Sequence, residues 1–197
     1  MSTQAEQIKK LRDLTGAGVL DSKRTLEEFN GDFDKALARL KENALKVAEK
    51  KAERVAKQGL IESYIHTGGK VGVIIEVNCE TDFVAATNDF KELAHALALQ
   101  IAAFKPQYVA ASDMPASVVA EMKQTFADAA RADNKPANII DRIVTGKLEA
   151  HYKEVCLLNQ TFIRDDKQTI QDLVQATIAK VGENIVVRRF ARFELGD

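Results

Sequence analysis

The sequence predicts an α+β fold, in which an N-terminal three-helix bundle and a linker helix precede an antiparallel sheet covered by helices. Apolar residues recur at helical spacing between Ala5 and Ala48. Two β-rich runs flank a Thr-Gly-Gly turn at residues 67–69, and residues 184–195 are typical of a further long strand. Because 46% of the 197 residues are hydrophobic, the chain can bury a core of this size.

Spacing and turn residues define the N-terminal helices. A first helix is predicted over residues 3–14, where apolar side chains lie three positions apart. Turn residues rich in glycine follow at 15–18 and again at 30–31, so a second helix is predicted between them. Asp32 can cap a third helix, which is predicted to continue to about Lys57.

Three parts of the chain are therefore expected. Residues 1–52 form a three-helix domain, residues 53–58 end the linker helix, and residues 59–197 form an α+β core. Residues 41–57 contain six Lys or Arg and three Glu. This run fits either a solvated helix face or a basic face for an acidic partner, and the spacing does not separate the two.

The core is predicted to alternate strands and helices. Strands are expected over 60–66 and 70–77, with a short strand at 108–110, and helices over 89–104, 115–132, 137–154 and 169–181. Val71, Val73, Ile75 and Val77 alternate onto one face of the second strand, which should pack against helices. Asn88 is predicted to cap the helix that follows.

Composition excludes several classes of function. Lys plus Arg number 28 and Asp plus Glu number 29, so the net charge of -1 argues against a nucleic acid as a direct partner. Two Cys cannot form a disulfide framework, which favours a reducing cytoplasm. The N-terminus lacks an apolar signal core and no apolar run is long enough to span a membrane.

A search for catalytic motifs finds little. No phosphate-binding glycine loop is present, and the three His and two Cys show no metal-ligand spacing, so no cofactor, metal or catalytic residue is predicted. His95 is expected to be a surface or half-buried residue, and Cys79 and Cys156 to be small buried side chains. A small enzyme that uses His95 or Cys79 stays open as an alternative.

Residues 81–84 allow two interpretations. Thr81, Asp82, Phe83 and Val84 lie between a predicted strand and a predicted helix. In the first, Thr81 or Asp82 caps a short helix and Phe83 packs into the core. In the second, the segment is a protruding tip whose acidic and aromatic side chains press into another protein.

Two segments resemble the signatures of bacterial elongation factor Ts. Residues 8–23, IKKLRDLTGAGVLDSK, are similar to its opening signature, and the Asn30-Gly31-Asp32 turn continues it. Residues 76–85, EVNCETDFVA, are similar to its second signature. The resemblance extends over the whole chain and is most specific over residues 8–90.

The resemblance implies a guanine-nucleotide exchange factor for elongation factor Tu. It implies that residues 1–52 are a ubiquitin-associated-like domain that docks on the partner's GTPase domain, with Arg12, Val19 and Leu20 at its contact positions; many relatives carry Met where Val19 and Leu20 stand. It further implies that residues 81–84 disturb the partner's Mg²⁺ and nucleotide site, and that the helix at 89–106 is another contact element.

The chain is shorter than the long members of this family, which have two related core subdomains, an inserted helical hairpin and a C-terminal module. Only one core unit fits here, and short members of this kind work as homodimers. A homodimer formed through the core is therefore expected. An adaptor or ubiquitin-binding module that uses only residues 1–52 is the alternative function, and it would leave the larger core without a role.

Overall fold

The computed structural model describes residues 3–196, and it confirms the α+β fold. In chain order the elements are α1 Gln4–Thr15, α2 Val19–Glu28, α3 Phe33–Lys51, β1 Gln58–Ile65, β2 Val71–Cys79, α4 Asp82–Ala85, α5 Asn88–Phe104, α6 Ala116–Ala132, α7 Ala137–Val155, β3 Thr161–Phe162, β4 Asp165–Thr169, α8 Ile170–Val181 and β5 Val186–Glu194. Within the described residues, no helix is both long and apolar enough to cross a membrane.

The helices α1, α2 and α3 form the predicted bundle. Their apolar stripes meet in a cluster built on Leu11, Leu26 and Leu40, each at most 3% exposed. At the start of α1, Thr3 and Glu6 form a capping box, in which each side chain accepts a hydrogen bond from the backbone of the other. The three-helix arrangement follows directly from the spacing of the apolar residues.

Helix α3 ends at Lys51, so the prediction that it continues to about Lys57 is wrong. Contacts with distant residues terminate it. The side-chain amide of Asn184 donates to the carbonyl groups of Ala52 and Arg54, at 3.3 and 2.9 Å, and the Lys51 ammonium binds the Gly182 carbonyl. The carbonyl groups of Ala52 and Arg54 are thus hydrogen-bonded to a residue far along the chain, and helical spacing cannot reveal such a contact.

The main sheet has the order β1-β2-β5, and both pairings are antiparallel. As predicted, Val73, Ile75 and Val77 face one way, and each is at most 1% exposed. They pack in one cluster with α5, whose Phe90 and Leu97 are fully buried. The opposite face of the sheet is not covered by any helix in residues 3–196, and apolar side chains such as Ile61 lie exposed on it.

Helix α8 joins the bundle to the core. Its Ile170 and Ile178 belong to the cluster under the sheet, whereas its Ala176 carbonyl lies against the turn after α1. At that turn Gly16 has φ +68°, and a Cβ there would lie 2.0 Å from the Ala176 oxygen. Only glycine fits this close approach, so the N-terminal helices dock firmly on the core.

Local details of the core differ from the sequence predictions. Thr87, not Asn88, caps α5, because its hydroxyl accepts the Phe90 N–H at 3.3 Å and Asn88 is already helical. Residues 108–110 are not a strand, since Tyr108 makes only an isolated bridge to Cys156. The hairpin of β3 and β4 was not predicted, because its turn contains neither glycine nor asparagine.

Candidate functional site

The tip, residues 81–84, carries the most exposed large apolar side chain among residues 3–196. Phe83 is 82% exposed, and Asp82 is exposed beside it on the single-turn helix α4. Val84, at the base, is half-buried and packs against the cluster under the sheet. Thus Thr81 caps a short helix as the first interpretation predicted, but Phe83 protrudes as the second predicted.

Thr81 sets the conformation of the tip. Its backbone is extended, with φ -126°, and its hydroxyl oxygen accepts the Val84 N–H at 3.3 Å. This is the geometry of a helix N-cap, and it fixes the direction in which α4 leaves the sheet. The side chains of Asp82 and Phe83 lie on the solvent side of that turn.

Glu183 holds the base of the tip from the other side of the fold. Its Oε2 accepts the backbone N–H groups of Glu80 and Thr81, at 3.1 and 2.9 Å. Its Oε1 accepts the Thr81 hydroxyl at 2.7 Å. A single carboxylate thus satisfies three donors, and such charge-assisted hydrogen bonds are the stronger kind.

Glu80 in turn binds the residue that follows Glu183 in the chain. Its Oε1 accepts the backbone N–H of Asn184 at 2.7 Å and lies 3.5 Å from the Arg54 guanidinium. We call Glu80, Glu183 and Asn184 the carboxylate clasp. Because Asn184 also binds the carbonyl groups that follow α3, the clasp ties the tip to the chain that leaves the N-terminal bundle.

The two thiols considered as nucleophiles are buried, and the histidine considered as a base lies beside a carboxylate. Cys79 and Cys156 are fully buried, and burial raises the pKa of both thiols. The Glu183 carboxylate raises the pKa of Cys79 further, so the thiol stays protonated. His95 is half-exposed on α5, with Nδ1 3.1 Å from Glu62. Residues 3–196 also contain no acid, His and Cys cluster that could hold a metal ion.

The three N-terminal residues of interest lie on the surface of the bundle. Val19 and Leu20 open α2 and are 51% and 67% exposed. Arg12 is exposed in the last turn of α1. Arg12 also lines an open cleft of about 280 Å³ with Asp89 and Lys180, which are paired at 2.6 Å. The cleft runs from the bundle to the start of α5, just after the tip.

Sequence reasoning missed the carboxylate clasp, which joins residues more than 100 positions apart. One local signal pointed to Glu183. An acidic residue directly after a helix C-terminus faces the negative end of the helix dipole, which is unfavourable unless other contacts compensate. Glu183 follows the C-cap Gly182 of α8, and its hydrogen bonds at the base of the tip offset the unfavourable interaction with the dipole.

Comparison with known proteins gives one consistent result. The model of the family "Elongation factor TS" matches residues 2–196. An elongation factor Ts of Coprothermobacter proteolyticus is 54% identical over 197 residues, which is 100% of both chains. Proteins of the same name from a Thermoanaerobacter species and from Thermotoga petrophila are each 50% identical, over 98% and 100% of this chain and 95% and 98% of their own lengths.

Proposed function

Because the chain belongs to the elongation factor Ts family, we propose that it binds GDP-loaded elongation factor Tu and promotes release of the nucleotide. GTP then reloads the vacant site. The observation that carries this proposal is the tip, where Phe83 is 82% exposed on a turn held at its base. A large exposed aromatic side chain on a fixed support is typical of a protein-binding anchor. The proposed site of action is the cytoplasm.

The tip acts by linkage rather than by breaking a bond, so the chain needs no catalytic residue of its own. A nucleotide held with nanomolar affinity is bound by about 12 kcal/mol. An exchange factor must therefore bind the nucleotide-free partner better than the loaded one, and the coupling is reciprocal. In the proposal Phe83 displaces a partner segment beside the nucleotide, and Asp82 disturbs the Mg²⁺ ion that neutralises the phosphates.

Residues 1–52 are proposed as the partner-docking part, residues 53–58 as the connection and residues 59–197 as the core. The exposure of Val19 and Leu20 at the start of α2 supports a docking role for that surface, with Arg12 on the adjacent helix. The close packing of the turn at Gly16 on α8 supports a fixed spacing between docking surface and tip.

The decisive experiment measures release of labelled GDP from purified elongation factor Tu, with and without the full chain. We expect the rate to rise with the concentration of the chain and to saturate. A rate unchanged at saturating concentration would contradict the proposed function.

Removing the Asp82 carboxylate tests its proposed action on Mg²⁺ separately from the insertion of Phe83. We expect Asp82→Ala to slow GDP release by about fivefold, which corresponds to a single exposed charge interaction. The effect should shrink when Mg²⁺ is chelated, because no ion is then left to disturb. Within residues 3–196 this carboxylate makes no hydrogen bond or ion pair and is exposed in the first turn of α4, so its removal should change the free energy of unfolding by no more than about 0.5 kcal/mol. A fivefold effect that persists in chelator would contradict the Mg²⁺ role.

We also propose that the chain is a homodimer formed through the open face of the main sheet. Ile61, Ile65, Ile74 and Phe193 share that face and are between 50% and 70% exposed. Glu76 and Arg189 lie on the same face and form an ion pair at 2.7 Å, so their two charges cancel. A largely apolar sheet face of this kind can meet a copy of itself across a two-fold axis.

A charge at the centre of this face should separate the protomers. We expect wild type to show twice the chain mass of 21.7 kDa in light scattering at micromolar concentration, and Ile74→Asp to show the single mass. Ile163→Asp is the control, since Ile163 is also exposed but lies in the turn between β3 and β4. A monomeric wild type would refute the homodimer, and no interchain disulfide is needed because both thiols are buried.

A further inference from the structure

The carboxylate clasp supplies hydrogen-bond acceptors that the N-cap of α4 does not. The Thr81 hydroxyl oxygen accepts one N–H of the first turn, that of Val84. Glu183 reaches the residues just before this turn from the end of α8 and accepts three further hydrogen bonds, from the N–H groups of Glu80 and Thr81 and from the Thr81 hydroxyl. Glu183 lies at the negative end of the α8 dipole, which is unfavourable for a carboxylate. The three charge-assisted hydrogen bonds at the base of the tip offset this unfavourable interaction.

We propose that Glu183 is a positioning residue of nucleotide exchange, an inference that rests on the proposed function of the tip. Its carboxylate fixes the backbone of Glu80 and Thr81 before the partner arrives, so that Phe83 is presented in one orientation. An ordered tip loses less conformational entropy on insertion into the partner than a flexible loop does. A small displacement of the inserted side chain is also expected to reduce the exchange rate strongly.

The clasp also sets where the tip lies relative to the docking helices. Glu80 binds the Asn184 backbone, and the Asn184 side chain, which is 4% exposed, binds the two carbonyl groups after α3. One polar network therefore spans the tip, the end of α8 and the exit from the bundle. Glu183 is half-buried and joins this network through its hydrogen bonds with Glu80 and Thr81.

The chemistry of the three donors predicts which substitutions preserve the tip. Glu183→Ala leaves two backbone N–H groups and a hydroxyl without their acceptor. Glu183→Gln keeps an acceptor oxygen for the N–H groups, while its amide can donate to the Thr81 hydroxyl oxygen. Glutamine should therefore restore most of the function that alanine removes.

The test measures two quantities on the full chain. In GDP release from elongation factor Tu, we expect Glu183→Ala to lower the saturating rate by about tenfold and to change the half-saturating concentration by less than about threefold. Glu183→Gln should stay within about threefold of wild type. In hydrogen exchange, the amides of Glu80 and Thr81 should exchange at least about tenfold faster in Glu183→Ala than in wild type.

Asp113→Ala is the matched control, because Asp113 also holds a loop by accepting a backbone N–H, that of Ala110 at 2.9 Å, away from the tip. It should leave the saturating rate and the tip amides unchanged. A wild-type saturating rate in Glu183→Ala, or a loss that glutamine does not restore, overturns the positioning role. If the wild-type chain does not accelerate GDP release from elongation factor Tu, the proposed function is wrong. Unchanged exchange of the Glu80 and Thr81 amides in Glu183→Ala would overturn the positioning role whatever the outcome of the GDP measurement.

Discussion

Phe83→Ala is expected to slow GDP release from elongation factor Tu by at least about tenfold at saturating concentration, the loss typical of a central interface anchor. The free energy of unfolding should change by no more than about 0.5 kcal/mol, as at other exposed positions. Both expectations follow from the 82% exposure of the ring, which makes almost no contact with the folded chain. Thermal denaturation and GDP release measured on the same preparations check them together.

Phe90→Ala is the matched control for this result. Phe90 lies at the start of α5, close to the tip in sequence, but it is fully buried. Its truncation should cost about 3–5 kcal/mol of stability, while GDP release should fall only with the fraction of unfolded protein. If Phe83→Ala instead behaved like Phe90→Ala, Phe83 would be a core residue in solution and the mechanism would lie elsewhere.

Local chemistry was enough to predict most of the fold. The alternation from Val71 to Val77 predicted the buried face of β2, and Gly68 and Gly69 predicted the turn before it. Hydrophobic spacing likewise placed the helices of the bundle and of the core. In each case the residues that determine the element lie within a few positions of one another, so the pattern is visible in a single sequence.

The state of the tip could not be decided in this way. Thr81 is a good N-cap whether Phe83 points into the core or into solvent, and both arrangements fit the same four residues. What decides between them is the space beneath α4. Val84 and Ala85 already fill it against the cluster under the sheet, so the ring of Phe83 has no site in the core. That packing depends on β2 and α5 together.

Long-range polar contacts explain the misplaced end of α3 and the missed clasp. Asn184 ends α3 by binding the carbonyl groups of Ala52 and Arg54, and Glu183 holds the tip from the end of α8. A polar residue in a turn gives no indication of which distant backbone it will satisfy. Side chains of this kind are found only when the fold has brought their partners together.

The docking surface should be separable from the tip by kinetics. We expect the double substitution of Val19→Asp and Leu20→Asp to raise the half-saturating concentration for GDP release by at least about tenfold, since it places charge at two apolar contacts. The saturating rate should stay near that of wild type, because the tip and its clasp are unchanged. Arg12→Ala should shift the same quantity in the same direction.

Stability is not expected to account for this loss of affinity. Val19 and Leu20 are more than half exposed in the first turn of α2, where an acidic residue interacts favourably with the helix dipole. Val55→Asp is the control, since Val55 is 68% exposed but lies in the connection between bundle and core. If both variants shifted the half-saturating concentration equally, a general effect of added negative charge would explain the result. If neither did, the core alone would dock the partner, and Phe83 would have to provide both affinity and exchange.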